Sequence, residues 1–197
     1  MGNMRALWDV GQSGDHRVDD LGRPVAGSPI IDQPPLRLSR AAKALARCVL
    51  STGLLLAQRR LHQPRQRVGS RIRFADGTVA EVYRETAIER RGSSTPAVLV
   101  VAFRLRGVRS DPAHAAFRVE SELNTVLFAG FPGLVSKLWL RHDEHGVYRG
   151  LYQWDDPELA ASYARALWWV LALVSVRGSI HWTVLPGLRR DCGTPAW

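Results

Sequence analysis

Residues 131–154 read FPGLVSKLWLRHDEHGVYRGLYQW, and the fold depends on how this stretch divides. Leu134, Ser136, Leu138 and Leu140 alternate with Val135, Lys137, Trp139 and Arg141, which is the two-residue period of a strand. The polar run Arg141, His142, Asp143, Glu144, His145 and Gly146 interrupts it, and Gly146 is free to take a positive φ. A second apolar run, Val147 to Trp154, follows. The stretch therefore predicts two antiparallel strands around a short polar turn.

The elements outward from this hairpin follow the same logic. Asp155-Asp156-Pro157-Glu158 places acids at the positive end of a helix that continues to about Leu173, with Tyr163, Leu167, Trp168 and Leu171 on one stripe. Arg177-Gly178 breaks it, Ser179 to Leu185 reads as a last strand, and Pro186-Gly187 stops it. Before the hairpin, Ala97 to Leu105 is an apolar run of the kind buried on both faces of a sheet. Pro112, behind Ser110 or Asp111 as cap, starts a helix over Ala113 to about Leu127. The predicted order is strand, helix, strand, strand, helix, strand. It specifies an α+β fold of the ferredoxin-like βαββαβ kind: four antiparallel strands with two helices on one face. Leu99, Val101, Phe103 and Leu105 are expected to face the helices, leaving Val98, Val100 and Ala102 on the other side. A second copy of the sheet is the simplest cover for that side, making a homodimer; the N-terminal helix is the alternative cover.

The N-terminal half has a different character. Residues 1–35 carry scattered Gly, Asp and Pro without a sustained period and are expected to be disordered. Residues 36–67 read as a basic amphipathic helix and linker, with Leu38, Ala42, Leu45, Val49, Thr52 and Leu56 as the expected apolar face. Residues 68–95 read as a β-hairpin around Asp76-Gly77 plus a linker, residues 96–190 as the ferredoxin-like domain, and residues 191–197 as a tail. The formal charge of +9 is concentrated: residues 41–73 hold eight basic residues and no acid, whereas residues 74–197 are nearly neutral. A whole-protein nucleic-acid surface is thereby disfavoured, and no aromatic residues interleave the arginines for base stacking. The helix is expected to dock on the domain or a partner, with peripheral contact to an anionic membrane surface as the alternative. Cys48 and Cys192 form neither a disulfide framework nor a metal cluster. No apolar run near the start resembles a secretory signal, so a cytoplasmic location is expected, with membrane association through the helix as an option.

The residues Phe131 to Leu140, then Gly146 to Trp154, then an acidic helix start, resemble the dimeric α/β-barrel superfamily, closest in flavour to YdhR-like mono-oxygenases and more distantly to antibiotic-biosynthesis mono-oxygenases. The resemblance spans Ala97 to Gly187. It implies a homodimer with a small pocket between sheet and helices. Some relatives oxidise polycyclic aromatics without metal or flavin, others degrade haem, and fold alone transfers neither reaction.

No phosphate loop, HExxH, CxxC or nucleophile elbow is present. His142-Asp143-Glu144-His145 invites a metal reading, but four consecutive turn residues cannot converge on one ion, so no metal ligands are assigned. Lys137 sits mid-strand between apolar neighbours beside Trp139, where a lysine needs a partner or shifts toward neutrality. It reads either as an ion-pair residue or as a group that steadies an anionic substrate. His181, in phase with Ser179 and Thr183, reads as a core histidine or a base. Asn124 on the first helix is a second oxyanion candidate, and Trp139, Tyr152 and Trp154 are aromatic walls for a flat apolar ligand. Three functions follow as expectations. One is a cofactor-independent mono-oxygenase acting on a flat phenolic molecule through His181, Lys137 and Asn124. The second is a non-catalytic dimeric binding module. The third is a haem-binding or haem-degrading protein.

Overall fold

The computed structural model describes residues 28–74, 76–89, 95–107 and 124–190. Its elements are β1 (Ile30–Ile31), α1 (Leu38–Ala57), β2 (Leu61–His62), β3 (Arg71–Arg73), β4 (Val79–Ile88), β5 (Ala97–Arg104), a 3-10 helix (Asn124–Leu127), β6 (Leu134–Leu140), β7 (Val147–Trp154), α2 (Pro157–Val174) and β8 (His181–Pro186). The predicted first helix falls largely on residues 108–123, outside the described residues, as do residues 1–27 and the tail 191–197.

The four strands expected from the sequence form β8-β5-β7-β6, with the first strand central beside the third and fourth. This is the ferredoxin-like order. The sheet is larger than the four strands expected. It has eight, running β1-β8-β5-β7-β6-β4-β2 with β3 on β4, and every pairing is antiparallel. Ile30 and Ile31, expected within a disordered segment, pair with Val184 and Thr183. The hairpin around Asp76-Gly77 forms as predicted, with Gly77 at φ 82°. Its second strand is longer than a surface ribbon, however, and joins the main sheet along β6 from Val82↔Leu140 to Ala87↔Ser136. Some of the charged residues that pointed to an edge are paired: Glu85 meets Arg190 at 2.6 Å, both side chains being buried, and Glu81 lies 3.4 Å from Arg141.

Directly paired residues share a face. Leu99, Val101 and Phe103 face α2 as expected and join the main core with Tyr152, Trp154, Tyr163, Trp182 and Val184. Each such aliphatic side chain contributes about 1.5–3 kcal/mol by leaving water. The opposite face is buried within the single chain. Val98, Leu138, Leu140 and Leu151 pack against Phe74, Ala80 and Val82 of the hairpin. Phe74, Ala80 and Val82 thus cover part of the face for which a second copy or the N-terminal helix was expected. Arg149 fixes this cover, bonding Asp143 and Asp76 while its guanidinium lies 4.5 Å from the Phe74 ring centroid.

Helix α1 packs on α2, on the 3-10 helix and on the loop after it at Gly130. Its buried residues are Ala41, Cys48, Thr52 and Leu55; of the predicted row Thr52 is buried and Leu45 is partly buried against the core. Leu38, Val49 and Leu56 of that row are exposed. Gly130 causes the shift in facing: a Cβ there would lie 2.1 Å from the Cys48 carbonyl oxygen, so α1 presses its small-residue face against the chain at this point.

Candidate functional site

Strand β6 carries the site. Gly133 turns the chain into it at φ 83°, and a bulge lies between Leu134 and Ser136. Simple alternation puts Leu134 opposite Lys137. The bulge changes this: Leu134 pairs with Trp154, and Lys137 pairs with Tyr152, both pairs facing the helices. An extra residue in one strand re-aims the side chains that follow it.

Lys137 is 6 % exposed, and its ammonium nitrogen lies 3.1 Å from the Trp139 ring centroid, 4.4 Å from that of Phe128 and 4.7 Å from that of Tyr152. Among the described residues it has neither a carboxylate nor a hydrogen-bond partner. Arg84, paired with Trp139 across β4 and β6, sets its guanidinium 4.3 Å from the same indole and donates to Thr125. Burial, then the Arg84 charge, drive the Lys137 amine well below the ordinary lysine range. The ring faces favour an ammonium by about 0.5–2 kcal/mol each. Burial outweighs this attraction, and the balance shifts toward the neutral amine.

The amine borders a cavity of about 300 Å³ between the sheet and α2. Tyr83, Phe103, Tyr152, Tyr163, Leu167 and Leu171 are among its walls. Tyr163 donates to the Tyr152 hydroxyl at 3.5 Å, and burial raises both phenols, so they stay protonated. Trp139 is fixed by its Nε1 donating to Thr86 at 3.2 Å and by an edge contact with Phe128. Gly150 leaves room for the Tyr152 ring, which a Cβ would meet at 2.8 Å.

Of the residues singled out in the sequence, the structure brings together Lys137, Trp139 and Tyr152. Trp154 is absent from the cavity wall; it is fully buried behind Tyr163, with ring centroids 5.1 Å apart. His181 is on the wrong side of the sheet. It pairs with Ala102, whereas Trp139, Gly150, Val101 and Trp182 share the cavity face. Its two ring nitrogens meet Asp32 at 2.9 Å and the Gly178 carbonyl at 3.2 Å. The Asp32 hydrogen bond raises its pKa. Asn124 opens the 3-10 helix, and its side chain lies outside the described residues. Sequence reasoning missed Arg84, read as a charge on a surface ribbon, and the role of Tyr163, Leu167 and Leu171, whose helical stripe was nevertheless legible.

The turn cluster does not converge. Asp143 points inward and accepts from the His145 and Val147 amides and from Arg149, while His145 and Glu144 remain exposed. Among the described residues no group of three or more His, Cys, Asp or Glu is placed to hold a metal ion. Among the described residues the cavity walls carry no histidine or cysteine. Among the described residues no helix is long and apolar enough to cross a membrane.

No protein-family model matches the chain, and no curated protein matches it. Among the similar solved structures are three bacterial proteins. An uncharacterised ferredoxin-fold protein of Listeria monocytogenes 4b F2365, described as related to antibiotic biosynthesis monooxygenases, is 14% identical with a TM-score of 0.40 over 57% of this chain and 66% of that one. A monooxygenase-like protein of Listeria innocua is 15% identical with a TM-score of 0.38 over 55% and 64%. A protein described as a major regulator of staphylococcal pathogenesis is 16% identical with a TM-score of 0.37 over 57% and 69%. The chain thus covers just under two thirds of the length of the first two. The ferredoxin-like assignment stands on this chain's own strand order.

Proposed function

We propose that the cavity binds a flat aromatic molecule bearing an acidic hydroxyl and that Lys137 takes its proton. The observation that carries this is a buried amine, without an acid partner among the described residues, at the wall of an aromatic cavity. A neutral amine accepts the phenolic proton, and the ammonium then holds the phenolate between Phe128, Trp139 and Tyr152. Lys137 therefore takes over the role first considered for His181, which faces away.

The reaction we assign is oxygenation of that phenolate without a resident cofactor, in the manner of the mono-oxygenases that the Phe131–Trp154 stretch resembles. The electron-rich ring carbon reduces molecular oxygen and forms the C–O bond. The O–O bond then breaks, water leaves with the displaced ring hydrogen, and a quinone remains. The test uses para-nitrophenol at a pH below its own pKa. Phenolate absorption is expected to appear on adding the protein and to vanish with Lys137→Met. Binding without ionisation refutes the proton transfer. A dihydroxynaphthalene that binds but consumes no oxygen refutes the oxygenation.

A second reading, peripheral docking of α1 on an anionic membrane, is favoured by one observation. Leu50, Leu54 and Leu56 are 76%, 59% and 53% exposed, and Arg40, Lys43 and Arg47 occupy the same helix without an acid partner among the described residues.

A further inference from the structure

We infer that Lys137 is a carbonyl-capturing amine, which forms an imine with an aromatic aldehyde or ketone seated in the same cavity. The inference rests on the cavity reading above and adds a covalent step to it.

The chain contains two lysines, Lys43 and Lys137, among 27 lysine and arginine residues. It meets almost every need for positive charge with arginine, and at Lys137 the surroundings oppose charge. The side chain lies against three rings at the cavity wall, lacks a carboxylate or hydrogen-bond partner among the described residues, and shares Trp139 with the guanidinium of Arg84. Arginine in this place stays charged, whereas lysine can lose its proton. An amine desolvated in an apolar pocket beside another cation is the environment in which lysine becomes nucleophilic. The cavity supplies the space such a reaction needs next to the nitrogen, and its aromatic walls match a planar substrate.

The step balances without an added oxidant or reductant. The neutral Nζ attacks the carbonyl carbon and forms a C–N bond, giving a carbinolamine. The C–O bond then breaks, the oxygen leaves as water carrying the two hydrogens that were on nitrogen, and a C=N bond remains. Tyr152, whose ring is 4.7 Å from Nζ and whose hydroxyl is held protonated, and Tyr163 beyond it keep this wall free of negative charge.

The experiment incubates the full chain with naphthaldehyde and sodium borohydride at neutral pH, then locates the adduct by intact mass and peptide mapping. Each unit by which the Lys137 pKa is depressed raises its neutral fraction about tenfold relative to a lysine at the ordinary value, as long as its pKa stays above the working pH. A single adduct on the Lys137 peptide is expected. It should be absent in Lys137→Met, unchanged in Lys43→Arg, and suppressed by the phenol probe used above. Labelling confined to Lys43 or the N-terminus, or of Lys137 only in urea, overturns the inference. Quenching of tryptophan fluorescence separates the two failures. Naphthaldehyde that quenches but is not trapped removes the imine and leaves the cavity reading standing. No quenching by aldehyde or phenol, with no trapping, removes both.

Discussion

Lys137→Met is expected to stabilise the protein. Most substitutions of a side chain as buried as this one destabilise, by filling or emptying a packed site. Here the native residue carries the penalty. Its side chain is buried, and its amine at the cavity wall has no hydrogen-bond partner among the described residues; for a buried polar group this costs about 1–3 kcal/mol. Ring contacts return a fraction of this, and methionine occupies nearly the same volume with no polar end. The net gain is therefore about 1–2 kcal/mol, or roughly 2–8 °C in Tm for a chain of this size.

The pH dependence gives the sign. In the unfolded chain Lys137 titrates near its ordinary 10.5, and in the fold its pKa is lowered. Between the two, the unfolded state binds more protons, so wild-type stability rises with pH across that window. The facing groups are Arg84 from β4, Tyr152 from β7, and Tyr163 from α2 beyond it; both phenols are raised and stay neutral through most of the window. The advantage of Lys137→Met is thus largest below the lowered pKa and shrinks as pH approaches 10.5. Circular-dichroism melts of both proteins across a pH series measure it. A variant less stable than wild type by more than about 1 kcal/mol, with an unchanged pH slope, refutes the reasoning and means that the amine has a partner.

Two further perturbations test the placement of α1. In Gly130→Ala the new Cβ would sit 2.1 Å from the Cys48 carbonyl oxygen and 2.6 Å from the Thr52 nitrogen, both backbone atoms that cannot rotate away. A loss of about 3 kcal/mol is expected, at the upper end of overpacking costs, read as a Tm drop with early proteolysis in residues 38–57; an unchanged Tm contradicts the packing. For the membrane reading, the full chain should co-sediment with phosphatidylserine-containing vesicles and not with neutral ones, with binding falling as salt rises. Leu50→Glu combined with Leu54→Glu should abolish sedimentation while leaving the melt within about 1 kcal/mol, because both side chains are exposed; retained binding refutes the reading.

Elements whose signals are local were legible from the chain alone. The Asp76-Gly77 turn, the Asp156 cap with Pro157 behind it, the strand period of β6 and β7, and the Tyr163-Leu167-Leu171 stripe all depend on neighbours a few residues away. They were sufficient for the ferredoxin-like order and for singling out Lys137, a lysine in an apolar strand. Only the tertiary structure decided what is fixed by distant contacts. The β6 bulge put Leu134 on the Lys137 face, a one-residue event that alternation cannot reveal. The pairing of β4 with β6 brought Arg84 to Trp139 and enlarged the sheet, because strand pairing depends on which edge is open. The register of β8 on β5 carried His181 to the face opposite Lys137 and gave it Asp32 as partner across the chain. Gly130 chose which side of α1 is buried, since close backbone approach outweighs the larger apolar row. Residue chemistry set what Lys137 is able to do, and desolvation by rings from β6, β7 and the loop after the 3-10 helix set the state in which it does it.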